Sequence, residues 1–552
     1  MGLAVAAVPV RVTFSEIGPV RPKTIQAFDN NNREVDMYDI NSYRMTTASR
    51  GIRRNLAISR FGKIDLGRRL EMFSFPTTVQ IGALRQFQER DRREQTKSWN
   101  FVGAVHNPTP YLNQVYVNQE AHMGFRNIPG ISAVRAWDAF QADPSILTQT
   151  TAQLVAAENT RLNTSEFAAE TVTSFYVQGE LRLLDNRLHV LTGVRREKTA
   201  SEGEGPLVDP NAVYIRNADG TFARNAQGAR VRKPEAGVAG SVQEALLIRT
   251  ERAYTAERSY HGYYPSLHLT YNIKENFIAR LAYARTYGRP NFPDIIPTAT
   301  INEADLDGEE LEDPDIVKGS ITVRNTALKP WTADNYDLSA EYYTQQGGMF
   351  SAGVFLKEIT DFFGDSVRIA TLEDLALVGL DPRFVGWNLN TKFNSGDARI
   401  SGVEFNARHS LRPLGGWGRY FTVFVNGTKL KLEGNPYASF RSFIPKTANW
   451  GFSFNWKRIT VVPKWNYRGL NKLIAQPAFG PDGFQYIKPR IILDLSLAYR
   501  LTKRLSLNAS FGNVFNDNLT QMHYGSETPD YARRSLNGDY GVSFALGIRG
   551  TY

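Results

Sequence analysis

Two alternations, one nested inside the other, constrain what this chain can fold into. At the fine scale, apolar and polar residues exchange at every position. In 541–552, GVSFALGIRGTY, Val542, Phe544, Leu546 and Ile548 share one face of a strand, while Ser543, Ala545, Gly547 and Arg549 share the other. The same period of two recurs in 176–183, 403–408, 420–428 and 491–500. At the coarse scale, strand-like runs fall near 166–183, 187–199, 257–271, 276–288, 333–344, 349–363, 395–411, 418–432, 446–456, 458–469, 488–500, 504–515 and 538–552. Their connections alternate in length. LDNR at 184–187, NIKE at 272–275, TQQGG at 344–348, RPLGGW at 412–417, NWKR at 455–458 and LTKR at 501–504 are short. Between them lie 200–256, 289–332, 364–394, 433–445, 470–487 and 516–537. Short and long never change places, the pattern of an up-and-down antiparallel barrel with turns on one rim and loops on the other.

The polar face carries charge as well as hydroxyls: Glu180 and Arg182, Glu404 and Arg408, Asp494 and Arg500. A charge facing lipid at the bilayer midplane costs about 2–4 kcal/mol, so the apolar face must meet the lipid. The charged face then lines a lumen wide enough to hold water. Trp417, Trp450, Trp456, Trp465, Tyr467 and Tyr499 fall near strand ends, where amphipathic rings reach headgroup depth. No run of 18 apolar residues is present, so no transmembrane helix is expected. With no cysteine there can be no disulfide and no thiolate site. The net charge of +10 is scattered among acidic residues and no nucleic-acid motif appears, so nucleic acid is not an expected partner.

The first part of the chain is less regular. Residues 4–14 and 35–45 read as strands, 50–70 and 79–102 as a pair of long ones joined through FSFPTT. The irregular stretch 103–163 reads as a long loop with helices over 133–140 and 145–160, the second behind Asp143-Pro144. In all, about fifteen strands are legible, seventeen with the first two. MGLAVAAVPVRVTF lacks a basic start and runs into strand-like sequence, so it is not read as a signal peptide.

Several segments, in order, closely resemble the TonB-dependent outer-membrane receptors. They are YGRPNF at 287–292, NTALKPWTADNYDLSAEYY at 325–343, GMFSAGVFLKEITDFF at 348–363, GNVFND at 512–517 and the aromatic C-terminal strand. The resemblance covers roughly 165–552. It implies a barrel of about 22 strands, a plug inside it, and a short box that contacts TonB. Neither plug nor box is legible here, so residues 1–552 are expected to be an N-terminally truncated receptor barrel in which Met1 is not the natural start. Missing strands would leave edges unpaired in lipid, and the isolated chain is expected not to insert stably. Phe544 and the terminal Tyr552 match the family's insertion signal for the barrel assembly machinery.

The resemblance implies import of a scarce solute, a siderophore–iron complex or a carbohydrate, driven by TonB, ExbB and ExbD. Membrane lipid and lipopolysaccharide would surround the barrel, and no cofactor is expected. Arg289 and Asn291 stand where a strand meets the mouth. They are either a turn locked by Pro290 or a donor fork for an anionic or hydroxyl-rich ligand. Trp137, Phe140, Trp387 and Tyr524 are candidates for stacking on a ligand or for loop packing. The acidic loop 302–315 imitates part of a calcium loop through Asp305, Asp307 and Gly308, but that Gly comes one place too early. It reads better as a solvated acidic loop, with Asp305 and Asp307 as weak metal candidates. The seven histidines show no metal-ligand spacing. His268 shares the polar face with Ser266 and Thr270, inside rather than on the outer wall where a barrel hydrolase would act. A passive porin, of about 16–18 strands, remains the alternative to a receptor, and an outer-membrane barrel enzyme the more distant one.

Overall fold

A computed structural model describes residues 3–17, 22–71, 74–117, 125–306, 310, 313, 316–325, 328–434, 443–476, 480, 483–526, 528–529 and 533–550. Nineteen strands share one sheet. Fifteen of them are long staves, preceded by the stub β1 (Leu3–Ala6). The staves are β2 (Tyr43–Leu70), β3 (Thr77–Phe101), β4 (Glu166–Leu183), β5 (Leu188–Val208), β6 (Arg249–Lys274) and β7 (Phe277–Gly288). They continue with β8 (Trp331–Tyr343), β9 (Met349–Ile369), β10 (Asn388–Ser410), β11 (Phe421–Gly434) and β12 (Lys446–Trp456). The last are β13 (Ile459–Arg468), β14 (Arg490–Arg500), β15 (Leu505–Gly512) and β16 (Ser543–Gly550). Each stave from β2 to β16 is antiparallel to the next, in unbroken succession.

The two faces separate as the alternation requires. Leu281, Leu338 and Val354 lie in register across β7, β8 and β9 and are about half exposed. Val403 and Phe405 on β10 continue that apolar band. On the opposite face Arg280 of β7 pairs with Glu341 of β8 at 3.0 Å. The described residues contain no helix long and apolar enough to cross a membrane. Aromatic clusters mark both ends of the band. Trp417 lies 6.4 Å from Trp456 at the short-turn rim, and Trp450 stacks on Trp465 nearer the long-loop rim.

β2 and β16 flank a seam. The strand order brings β16 up to β2, yet among the described residues no register joins them. Both run toward the short-turn rim, so they cannot form the antiparallel ladder used everywhere else. β1 covers only the start of β2, from Tyr43 to Thr47. Beyond Ala48 almost every residue of β2 is exposed, as are all eight described residues of β16.

Several staves reach further than the alternation suggests on the long-loop side, while β14, β15 and β16 fall short of it there, at Arg490, Gly512 and Ser543. β5 runs on to Val208, β6 begins at Arg249, and β9 and β10 extend to Ile369 and back from Asn388. Beyond the lipid both faces meet water or loops, so the apolar signal fades while the ladder continues. Three expectations need correction. Residues 4–14 are not one strand: β1 stops at Ala6 and a new strand begins at Val10, after Pro9, which has no N–H for a ladder. Residues 35–45 break at a 3-10 turn, Ile40–Ser42, capped by the Asp39 side chain. The second helix starts at Thr151, not 145, because Thr150 and Gln153 form a reciprocal cap there. The two expected helices in 103–163 are thus α1 (Ala133–Ala142) and α2 (Thr151–Asn163), preceded by the single helical turn Gln114–Val117.

Candidate ligand-binding mouth

The long loops fold into a layer with its own core. From 289–330 the chain forms a hairpin, Ala299–Glu303 against Gly319–Val323, that lies parallel to the tops of β5 and β10. Its Ile321 packs with Leu389 and with Leu375 of α3 (Leu372–Val378), all three fully buried. Trp387 lies in the same cluster, 5% exposed, its ring edge-on to Phe384. A Cβ on Gly319 would meet that indole at 2.4 Å, so the glycine is what lets the hairpin close over it. The proposed stacking role for Trp387 is therefore corrected: the ring is loop core, out of a ligand's reach.

Gly205 of β5 plays a similar part. A Cβ there would stand 1.8 Å from the Pro297 carbonyl, so only glycine lets the segment after β7 lie against the wall. That segment opens with the Arg289-Pro290 step. Pro290 carries no N–H and ends the strand, and Asn291 leads into the one-turn helix Phe292–Ile295. Arg289 reaches back to the wall. Its two terminal nitrogens donate to Glu170 of β4 at 2.9 Å and Glu197 of β5 at 2.6 Å, with the Tyr287 hydroxyl at 2.8 Å. Glu197 also accepts from Arg195 at 2.7 Å and from the Tyr287 hydroxyl. Two buried carboxylates thus take both terminal nitrogens of the Arg289 fork, and its Nε, though unpaired, is buried. Arg289 is a keystone that fastens the turn to the barrel wall.

Behind the keystone opens a cavity of about 550 Å³, which Arg289 and Asn291 line together with Gln88, Arg90 and Phe292. The Arg90 guanidinium lies 4.9 Å from the centre of the Phe292 ring. No carboxylate pairs with it among the described residues, and Asn291 is exposed with its side-chain amide unbonded there. Asp294, at the cavity's edge, is taken by Lys392 at 2.6 Å. Arg90 and Gln88 were missed in the sequence because the charge-rich run of β3 offered no reason to prefer one polar residue over its neighbours. The register supplies one: Gln88 stands opposite Glu170, on the face that carries the keystone.

The other candidates lie apart from this cavity. Trp137 of α1 packs on Phe140, with the Arg50 guanidinium 4.7 Å from its ring centre. Tyr524 is half exposed on a separate four-stranded loop sheet, its ring 5.0 Å from Phe484. The acidic loop meets a basic one. Glu303 pairs with Arg216, and Asp305 accepts from Arg230 at 2.9 Å and from Arg224 at 2.5 Å. Partial burial opposes ionisation of Asp305, but the two arginines outweigh it and hold the carboxyl below its ordinary range. These guanidinium groups occupy the place a cation would take. No group of three potential metal ligands occurs among the described residues. Phe544 is exposed on β16. Asp307 and Tyr552 lie outside the described residues.

The family model for TonB-dependent receptor-like β-barrels matches residues 15–516. The chain belongs to that family. Among solved structures, the receptor fold is shared with the unliganded ferric citrate transporter FecA, at TM-score 0.50 and 10% identity over 92% of this chain and 57% of that one. The ferric-catecholate import receptor Fiu from K12 E. coli aligns at TM-score 0.49 and 14% identity, over 95% of this chain and 60% of that one. The pyoverdine receptor FpvA from Pseudomonas aeruginosa PAO1 aligns at 0.48 and 12%, over 92% and 57%. This chain thus spans about 57–60% of the length of those proteins. No curated protein matches it in sequence. Within the receptor barrel, the R-P-x-F step of the family resemblance is the Arg289–Phe292 keystone turn.

Proposed function

We infer that this chain is the barrel portion of an outer-membrane receptor that takes an anionic, oxygen-rich solute at its long-loop mouth. The observation that carries this is Arg90: a guanidinium with no carboxylate partner among the described residues, facing a cavity beside Asn291, Gln88 and the Phe292 ring. A planar donor fork with an amide beside it suits the carboxylate or catecholate oxygens of a ferric siderophore. A neutral carbohydrate could use the amide and the ring but would leave the cation uncompensated. The half-exposed apolar band supports an outer-membrane site, since an outward apolar band on antiparallel staves is what lipid demands of a barrel wall. Import would draw on TonB, ExbB and ExbD through a plug supplied from outside the described residues. A passive porin would have about 16–18 strands, close to the fifteen staves here, but the family match does not support it.

Ferric citrate and an uncharged maltooligosaccharide, each titrated against tryptophan fluorescence of the folded chain, test the reading. Ferric citrate should bind, and Arg90→Gln should weaken it about tenfold or more, the usual loss for a charge-assisted hydrogen bond. Preference for the oligosaccharide would redirect the reading to carbohydrate. Binding of neither would remove it.

A further inference from the structure

At the short-turn rim, β12–β13 and β14–β15 carry two neighbouring turns that are tied together. The Arg458 guanidinium donates to the Leu501 carbonyl at 3.2 Å, and the Arg500 N–H donates to the Arg458 carbonyl at 2.8 Å. These turns hold Lys457, Arg458, Lys503 and Arg504, all exposed. No Asp or Glu occurs in 454–460 or in 498–507. Among the described residues Lys457, Arg458 and Lys503 have no carboxylate partner. Two other turns on the rim mix their signs, Asp185 with Arg187 and Lys274 with Glu275, while 344–348 carries no charge and 412–417 a lone Arg412.

One residue above this patch the outer wall is hollowed. Ile459, Leu497, Tyr499, Leu507, Leu546 and Ile548 line an overwhelmingly apolar groove of about 900 Å³. Ala509 lies between Leu497 and Leu546 in the register and keeps the floor low. The aromatic pair Trp417 and Trp456 stands at the same rim, with the Lys457 ammonium 4.7 Å from the Trp456 ring centre. Those indoles set the depth of the headgroup layer, so the cations lie at that depth and the groove just inside the hydrocarbon.

We propose that this sector is a binding site for an anionic phospholipid. One acyl chain lies in the groove, and the headgroup phosphate rests on the cations of the two turns. The charge complementarity selects the headgroup, and the apolar hollow selects a lipid over a free anion. The site rests on the membrane orientation of the barrel and is independent of what solute the mouth takes.

Native mass spectrometry of the full chain in dodecyl maltoside, with palmitoyl-oleoyl phosphatidylglycerol or phosphatidylethanolamine added, tests it. Phosphatidylglycerol should be retained about tenfold over phosphatidylethanolamine. The triple variant Lys457→Gln, Arg458→Gln, Lys503→Gln should lose that preference, about tenfold in phosphatidylglycerol retention, with phosphatidylethanolamine unchanged. Ala509→Trp, which fills the hollow and leaves the cations, should weaken both lipids. Arg224→Gln, at the far rim, should change neither. Equal retention of the two lipids, or indifference to the triple variant, would overturn the site. Displacement of the lipid by millimolar inorganic phosphate would overturn the lipid assignment in favour of a plain anion patch.

Discussion

The loop layer over the mouth and the seam between β2 and β16 are built from similar residues and have opposite fates. Ile321, Leu375 and Leu389 are fully buried, although they lie in segments that look like loops. Phe544, Leu546 and Ile548, in the most regular strand of the chain, are about three-quarters exposed. The loop residues are enclosed by a hairpin, a helix and the strand tops, which meet from several directions. The seam residues have neighbours on one side only, and their apolar face awaits lipid. In this protein, then, regular alternation reports a strand and says nothing of burial by protein.

The sharpest way to break the contrast is to truncate each side. Leu375→Ala should cost about 2–5 kcal/mol, as for other large-to-small core changes, read as earlier proteolysis of the loop layer and a lower urea midpoint. Leu546→Ala should be within about 0.5 kcal/mol in detergent. An equal loss there would mean that the seam is covered. Arg289→Ala follows, at about 3–5 kcal/mol, since Glu170 and Glu197 would stay buried with fewer partners. Full stability in that variant would show the keystone to be dispensable. Next come the two faces of β8. Leu338→Arg should lower folding stability in phospholipid vesicles by about 2–4 kcal/mol, while Ser339→Arg, on the lumen face, should change it little. If both variants fold equally well, the face assignment is wrong.

The smallest effect is a titration within the loop layer. Glu244 accepts from the Gly240 N–H and from Arg232 at 2.7 Å, which hold its carboxyl below the ordinary value of 4.5. Its contribution should be complete above pH 4.5 and fade as pH falls through the lowered value. As a partly exposed pair it is worth about 1 kcal/mol or less. Hydrogen exchange across 232–248 against pH would detect it, and Glu244→Gln should flatten the profile below neutral pH. A loop that loosens on raising pH would contradict the sign.

How much of this was legible depended on the medium each residue meets. Between β4 and β16 the hairpins, their direction and both faces followed from the period of two and from connection length. Leu338 against Ser339 is an example, because lipid and water impose opposite demands on neighbouring positions. The wall ends of β5, β6, β9 and β10 were not legible, since outside the membrane their ladders carry no apolar stripe. At the mouth, the Arg289-Pro290 step left two roles open, a locked turn or a donor fork. Whether a guanidinium is free depends on Glu170 and Glu197, 119 and 92 residues away in the chain. Trp387, open between stacking and packing in the sequence, was decided in the same way by distant neighbours.

The sequence by itself determined an antiparallel barrel wall, its inside and outside, and its rims, while a separate series of motifs carried the family resemblance. The properties of the wall come from local period and spacing, which the backbone geometry turns directly into structure. Only the tertiary structure decided that Arg289 is spent, that Arg90 faces the cavity, that Trp387 is core and that β2 and β16 run the same way across a seam. Each of these depends on which distant residue arrives at a given place, and pairing energy between residues so far apart in the chain leaves no periodic trace in the sequence.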